Sequence, residues 1–117
     1  MARILVIDDE FEVRSTIRFM LEREGHDVIE ALDGVEGIER FLEHPTDIII
    51  TDILMPNQDG IETLLQLHAD HPDVPVIVIS GNASEHLDLA REFGASSVLS
   101  KPFKYQDLVN AVSKALS

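Results

Sequence analysis

Short apolar runs alternate with amphipathic stretches along all 117 residues of the chain. Three of these runs are nearly solid Val, Ile and Leu, which is typical of parallel strands that are covered on both faces. The five predicted strands cover residues 3–7, 28–31, 47–51, 76–80 and 97–100. Strict alternation of strand and helix predicts an α/β protein in which a parallel sheet lies between two layers of helices.

Five helices are predicted from apolar residues that recur three or four positions apart. Asp33 and Asp59 are placed to cap the second and third helices, and Gly25 and Gly94 are expected to end the first and fourth. The fourth helix, residues 84–93, has the weakest apolar pattern. The predicted inward stripes are Val13, Ile17, Met20 and Leu21 in the first helix, Val35, Ile38 and Leu42 in the second, Ile61, Leu64, Leu65 and His68 in the third, and Leu108, Val109, Val112 and Leu116 in the fifth.

Length and composition narrow the class of protein. A chain of this length predicts one domain, residues 1–117, with no linker or internal repeat. Without cysteine there is neither a disulfide nor a thiolate metal site. No leader peptide is recognised, and no apolar run approaches the roughly 20 residues of a membrane span, so we expect a cytoplasmic protein. The net charge of −13 argues against direct binding to nucleic acid or to an anionic membrane.

Chemically active side chains follow four of the five predicted strands, at the sheet edge where open α/β sheets bind ligands. They are Asp8 and Asp9 after the first strand, Asp52 at the third, Ser80 at the fourth and Lys101 after the fifth. Each of them alone is more often structural, as a helix cap or a solvated loop charge. If these four strands are neighbours, however, the side chains converge on one pocket, and that conjunction predicts a functional site.

The acidic side chains of this group indicate a cation. Two carboxylates about 4 Å apart repel each other by about 4 kcal/mol at an effective dielectric constant near 20, so Asp8 or Asp9 beside Asp52 must either take up protons or bind a cation. With oxygen donors and no cysteine or histidine at hand, Mg²⁺ fits best. A divalent ion and Lys101 then balance three carboxylates, which suits the stabilisation of a transferring phosphoryl group.

The same motifs resemble those of the response-regulator receiver domains of two-component signalling. The resemblance covers essentially the whole chain, and the spacing of several separate motifs makes it specific. It implies a doubly wound, flavodoxin-like sheet in the order 2-1-3-4-5, which places strands one, three, four and five side by side. The matching residues are Asp8-Asp9, Asp52 with Met55-Pro56 and Gly60 after it, Ser80, and Lys101-Pro102-Phe103.

The resemblance also implies a role for each site residue. Asp52 corresponds to the phosphoacceptor, which takes a phosphoryl group from a sensor histidine kinase or a histidine phosphotransfer protein. The implied Mg²⁺ ligands are Asp8, Asp9, Asp52 and the backbone carbonyl of Leu54, and no other cofactor is implied. Ser80 and Lys101 correspond to the residues that bind the phosphoryl group, and the Lys101-Pro102 bond is expected to be cis.

Such a domain is a switch and not a conventional enzyme, since it catalyses only its own phosphorylation and dephosphorylation. The resemblance implies that phosphorylation changes the surface of the fourth helix, the fifth strand and the fifth helix, and so controls a downstream protein or output domain. Many family members carry an aromatic residue three positions before the lysine, where this chain has Val98. We therefore expect the fourth helix to move without rotation of a ring at position 98.

Three other classes of protein fit the sequence less well. A flavin- or nucleotide-binding domain needs phosphate-binding groups after the first strand, where Asp8-Asp9-Glu10 would repel phosphate, and no Walker-type glycine loop exists. A phosphatase of the haloacid-dehalogenase type has a second acid two residues after its nucleophile, where Leu54 follows Asp52. Glu10 does follow Asp8 at that spacing, but this match leaves Asp52 and Lys101-Pro102 unexplained. A binding module that keeps the fold without the chemistry is opposed by the presence of all the site residues. Glu10 is either a group beside the site or a favourable charge in the first helical turn, and we favour the second interpretation.

Overall fold

A computed structural model describes residues 1–53, 60–81, 88, 90, 91 and 94–117 of the chain. Strands and helices alternate as predicted. The elements are β1 (Arg3–Ile7), α1 (Phe11–Arg23), β2 (Asp27–Ala31), α2 (Gly34–Glu43), β3 (Ile48–Asp52), α3 (Gly60–Asp70), β4 (Val76–Ser80), β5 (Ser97–Ser100) and a C-terminal helix (Tyr105–Leu116). The predicted fourth helix, the Asp59 cap and Leu54 lie largely or wholly outside the described residues, although residues 88, 90 and 91 are helical.

The five strands form one parallel sheet in the order β2-β1-β3-β4-β5, which confirms the predicted fold. All residues of β3 and β4 are buried, as expected for strands that are covered on both faces. In the strand register Asp52 pairs with Ile79, and Ser80 pairs with Ser100. The carboxyl ends of the central strands therefore finish level with one another, and they place the residues that follow them at one edge.

Two apolar clusters, one on each face of the sheet, hold the helices in place. The first unites α1 and the C-terminal helix with the sheet, and the second unites α2 and α3 with it. Each buried aliphatic side chain contributes roughly 1.5–3 kcal/mol, so packing dominates the stability of these layers. The helix residues involved are Ile17, Leu21, Leu108 and Val112 in the first cluster and Phe41, Leu64 and Leu67 in the second. In the described part of the chain, no helix has the length and apolarity needed to span a membrane.

The predicted helix ends are confirmed where the structure describes them. The Asp33 side chain caps α2 by accepting a hydrogen bond of 2.9 Å from the Glu36 N–H. Gly25, after α1, has a φ of 87°, and Gly94 has a φ of 89°. Both angles lie in the left-handed region that side chains with a Cβ atom disfavour, so glycine ends these segments without strain.

The predicted inner face of α2 is right at Ile38, which is partly buried against the second cluster, and wrong at its other two positions. Val35 and Leu42 are 51% and 65% exposed, whereas Phe41 is buried. Gly37 faces β1 so closely that a Cβ atom there would lie 2.5 Å from Cδ1 of Ile7. The helix therefore approaches the sheet at a glycine and packs Phe41 inward, and this orientation leaves Val35 and Leu42 exposed to solvent.

The predicted buried faces of α3 and the C-terminal helix are confirmed at their central residues and wrong at one residue each. Leu64 and Leu108 are fully buried, as predicted. Leu65 and Leu116, however, are 43% and 45% exposed, and α3 buries Leu67 in place of Leu65. Spacing alone therefore predicts one buried position too many in α3, at Leu65, and extends the buried face of the C-terminal helix one turn too far, to Leu116.

Candidate functional site

The predicted site residues of the described chain converge at the carboxyl edge of the sheet. Asp52 is the last residue of β3 and is buried. Asp8 directly follows β1 and is buried as well, whereas the next residue, Asp9, is exposed to solvent. Lys101 directly follows β5. Because these strands are parallel, their carboxyl ends bring residues that are distant in sequence to one place.

Lys101 contacts three of the acidic side chains of the site. Its ammonium Nζ donates a hydrogen bond of 2.7 Å to Asp52 Oδ2 and one of 3.3 Å to Asp8 Oδ2. Glu10 Oε1 lies 3.7 Å from the same nitrogen. Although burial alone would lower the pKa of Lys101, the hydrogen bond and charge of Asp52 raise the pKa above its ordinary value. The ammonium therefore stays charged beside Asp52.

Four carboxylates form a compact oxygen-rich cluster. One oxygen atom from each of Asp8, Asp9, Glu10 and Asp52 can be chosen so that all lie within 4.8 Å of one another. Burial raises the pKa of Asp8 to about 6, and the negative charge of Asp52 adds to that rise. A hydrogen bond of 2.9 Å from the Glu10 N–H to Asp8 Oδ1 acts in the opposite direction. The negative charge at this edge thus exceeds what Lys101 neutralises.

Ser80 ends β4 with its side chain fully buried. It lies one residue beyond Ile79, the register partner of Asp52. Its carbonyl oxygen accepts a hydrogen bond of 2.9 Å from the Lys101 N–H. Ser80 and Lys101 are therefore neighbours across β4 and β5, next to the strand that ends in Asp52. The Lys101-Pro102 bond is cis, as expected.

A family model, the response regulator receiver domain, matches residues 4–113. The chain belongs to this family. Among curated relatives, the transcriptional regulatory protein CpxR of Escherichia coli is 38% identical over 99% of this chain and 50% of its own length. The response regulator receiver protein CpdR of Brucella abortus is 37% identical over 99% of this chain and 98% of its own length.

Solved structures agree with this assignment. A response regulator receiver domain protein from Clostridium thermocellum superposes with a TM-score of 0.93 at 35% identity, over 99% of this chain and 94% of that one. The response regulator TrrA of Thermotoga maritima, solved in complex with Mg²⁺-BeF, superposes with a TM-score of 0.91 at 30% identity, over 98% and 99% of the two chains. This receiver domain spans about half the length of several curated relatives, CpxR among them.

The donor set of this receiver domain fits Mg²⁺. Carboxylate oxygens at this spacing are hard ligands, and Mg²⁺ binds through one or two of them while keeping water and phosphate oxygens in its remaining positions. Burial, together with the charge of Asp52, raises the pKa of Asp8, and a cation at this place would favour the ionised carboxylates. Together these observations are consistent with a phosphoacceptor switch of the two-component type.

Two further residues lie near the site. Glu10, for which a charge in the first helical turn was the favoured interpretation and a place beside the site the alternative, brings its carboxylate into the acidic cluster and toward Lys101. Arg14 is 7% exposed and donates a hydrogen bond of 2.7 Å to the carbonyl oxygen of Asp8. The sequence does carry a signal for Arg14, because it is a basic residue that follows Val13 on the apolar face of the predicted first helix.

Proposed function

We propose that the receiver domain, residues 1–117, accepts a phosphoryl group on the carboxylate of Asp52. The observation that carries this proposal is the 2.7 Å contact between Asp52 Oδ2 and Lys101 Nζ, beside the acidic cluster. The contact holds a buried carboxylate in one orientation and keeps a positive charge where the charge of the phosphoryl group accumulates. Positioning and electrostatic stabilisation are the main means by which proteins promote phosphoryl transfer.

In the proposed reaction an oxygen of Asp52 forms a bond to the phosphorus of a phosphohistidine. The phosphorus–nitrogen bond of the donor breaks, and its electron pair returns to the imidazole. Lys101 and Ser80 then bind oxygens of the transferred group, Lys101 by charge and Ser80 through its hydroxyl. Attack of water on the acyl phosphate restores Asp52 and releases inorganic phosphate. The domain thereby catalyses its own phosphorylation and dephosphorylation and turns over no separate substrate.

Asp8, Asp9 and Asp52 would hold the Mg²⁺ ion that this reaction uses. The backbone carbonyl of Leu54, which the family resemblance adds to the ligand set, lies outside the described residues. When bound, Mg²⁺ supplies positive charge to the phosphoryl oxygens. The buried Asp8 and the exposed Asp9 differ in access to water, so we expect Asp8 to be the more rigid of the two ligands.

The phosphoryl donor is proposed to be a sensor histidine kinase or a histidine phosphotransfer protein in the cytoplasm. The recipient of the signal is proposed to be a downstream protein or an output domain. We place the changing surface at residues 84–93, at β5 and at the C-terminal helix, because Ser80 precedes the first of these segments and Lys101 lies between the other two. Direct nucleic-acid binding by residues 1–117 is not proposed, since their net charge is −13.

Acetyl phosphate tests the proposal without a partner protein. The domain is incubated with Mg²⁺ and acetyl phosphate, and intact mass shows whether one hydroxylamine-labile phosphoryl group is added. We expect the group on the unmodified domain and on Asp27→Asn, a control on the exposed first residue of β2. Asp52→Asn should carry none while keeping the same circular dichroism spectrum. Equal labelling of Asp52→Asn would remove Asp52 from its proposed role.

A further inference from the structure

Arg14 is a buried cation whose contacts join two elements of the site's framework. Its Nη1 donates a hydrogen bond of 2.7 Å to the carbonyl oxygen of Asp8, and its Nε donates one of 3.1 Å to Glu30 Oε1 in β2. A buried guanidinium is destabilising unless such partners satisfy it, so its position is strongly determined. The helix α1 thereby holds both β2 and the segment that carries Asp8 and Asp9.

The contact with Asp8 fixes a peptide plane. The Asp8 N–H donates a hydrogen bond of 3.1 Å to the Ala31 carbonyl, which extends the ladder between β1 and β2 by one residue. On the other side of the same residue, Arg14 holds the carbonyl oxygen. Because the peptide bond is planar, fixing this oxygen also fixes the nitrogen and Cα of Asp9. The peptide that joins Asp8 to Asp9 is thus held by one arginine.

Glu30 holds the guanidinium in this position. It accepts hydrogen bonds from Arg14 at 3.1 Å and from Arg18 at 2.7 Å. Although burial alone would raise the pKa of Glu30, the hydrogen bonds from Arg18 and Arg14 hold the pKa below its ordinary value. Arg18 is about 43% exposed at its side chain and contacts Glu22 and Glu30, whereas only Arg14 of this pair contacts Asp8.

We propose that Arg14 is a positioning residue of the phosphoacceptor site, held by Glu30, which orients the Asp8–Asp9 peptide so that both carboxylates face Asp52. The proposal rests on the metal site of the proposed function. It differs from a purely structural ion pair between α1 and β2, which would stabilise the fold without affecting the geometry of the acidic pair.

Arg14→Met and Arg18→Met form a matched pair, because both remove a guanidinium from Glu30 and only one removes the contact with Asp8. Three quantities are measured: the Mg²⁺ dissociation constant from amide chemical shifts of β1, the hydrogen-exchange rate of the Glu10 amide in metal-free protein, and the free energy of unfolding. Removing a group that orients a metal ligand weakens binding by about 10–100-fold. We expect such a loss in Arg14→Met, together with faster Glu10 exchange, because that amide binds the Asp8 side chain.

Arg18→Met should keep the Mg²⁺ affinity and the Glu10 exchange rate of the unmodified domain, even where it lowers stability. Equal Mg²⁺ affinity and equal Glu10 exchange in both variants would overturn the proposal. If Arg14→Met does not fold, Arg14→Lys and Arg18→Lys replace the pair. Lysine keeps the positive charge but lacks the planar guanidinium with which Arg14 reaches both Glu30 and the Asp8 carbonyl oxygen. If the unmodified domain itself binds no Mg²⁺, the metal site of the proposed function fails, and Glu10 exchange in the metal-free variants still decides the role of Arg14.

Discussion

Asp8 is the residue at which the electrostatics of the site can be measured most simply. It is buried beside Asp52, and its pKa rises from 3.8 to about 6. Between about pH 4 and pH 6 the folded state therefore binds more protons than the unfolded state. Stability consequently falls as the pH rises through this window and stays lowered above it. In metal-free protein the ionised Asp8 is thus a destabilising group at neutral pH.

The substitution Asp8→Asn removes the destabilising charge of the ionised Asp8. In metal-free buffer at pH 7 we expect the variant to be more stable than the unmodified domain by about 1–3 kcal/mol, which discounts the full shift for the lost contact with Lys101. The difference should shrink as the pH is lowered from 6 to 4, because the folded state takes up its proton on Asp8 in this window and the unfolded state does so only below it. Urea unfolding at several pH values measures it. A variant that is less stable at pH 7 would show that the contact with Lys101 outweighs the repulsion.

At the scale of single elements, α2 shows how close packing decides the orientation of a helix. A Cβ atom at Gly37 would lie 2.5 Å from Ile7 Cδ1 and 2.9 Å from Ile7 Cγ1. Hydrophobic periodicity counts apolar side chains and ignores a glycine that lets a helix approach a sheet. For this reason the apolar pattern predicts that Val35 and Leu42 face inward, whereas in the structure both are exposed.

Gly37→Ala tests this packing. Alanine favours a helix by about 1 kcal/mol over glycine, yet overpacking a core typically costs about 1–3 kcal/mol. We expect a net loss of stability in urea unfolding. Ile7→Val, which removes Cδ1, should reduce that loss when the two changes are combined, so the double variant is more stable than the sum of the singles predicts. Strict additivity would contradict the close approach of α2 to β1.

The strand β5 gives a second prediction at this scale. Val98 is partly buried and packs against the cluster that includes α2 and α3. A β-branched side chain in that place has a stiff first torsion and is too small to act as a rotating gate. Beryllofluoride, a phosphoryl mimic, should therefore shift the amides of residues 84–93 and of the C-terminal helix equally in the unmodified domain and in Val98→Ala. Loss of those shifts in Val98→Ala, with the mimic still bound, would make position 98 the gate.

For the molecule as a whole, alternation of apolar runs was enough to predict the layers of the fold, and the family resemblance supplied the strand order. Convergence of Asp8, Asp52 and Lys101 followed from that order, and the distances among them agree with it. Arg14 could not be predicted in the same way. Its partners are a backbone carbonyl and Glu30, 16 positions away, and neither is visible before the helix and the sheet are assembled.

The net charge of the whole molecule gives a prediction about its partners. A chain with 22 acidic and 9 basic residues has little capacity to displace counterions from phosphates. The purified domain should leave the mobility of duplex DNA unchanged at physiological salt and at low salt. A shift that weakens as salt is added would show a basic surface that the overall charge conceals.

Locating the phosphoryl group on the chain is the most direct measurement. The domain is phosphorylated with acetyl phosphate and Mg²⁺, the acyl phosphate is reduced with borohydride, and the peptides are sequenced by mass spectrometry. We predict a single modified residue, Asp52, with no modification when the divalent cation is chelated. Modification at Asp8, Asp9 or a histidine with Asp52 unchanged, or labelling that persists without a divalent cation, would contradict the role of Asp52 as the acceptor in a Mg²⁺-dependent switch.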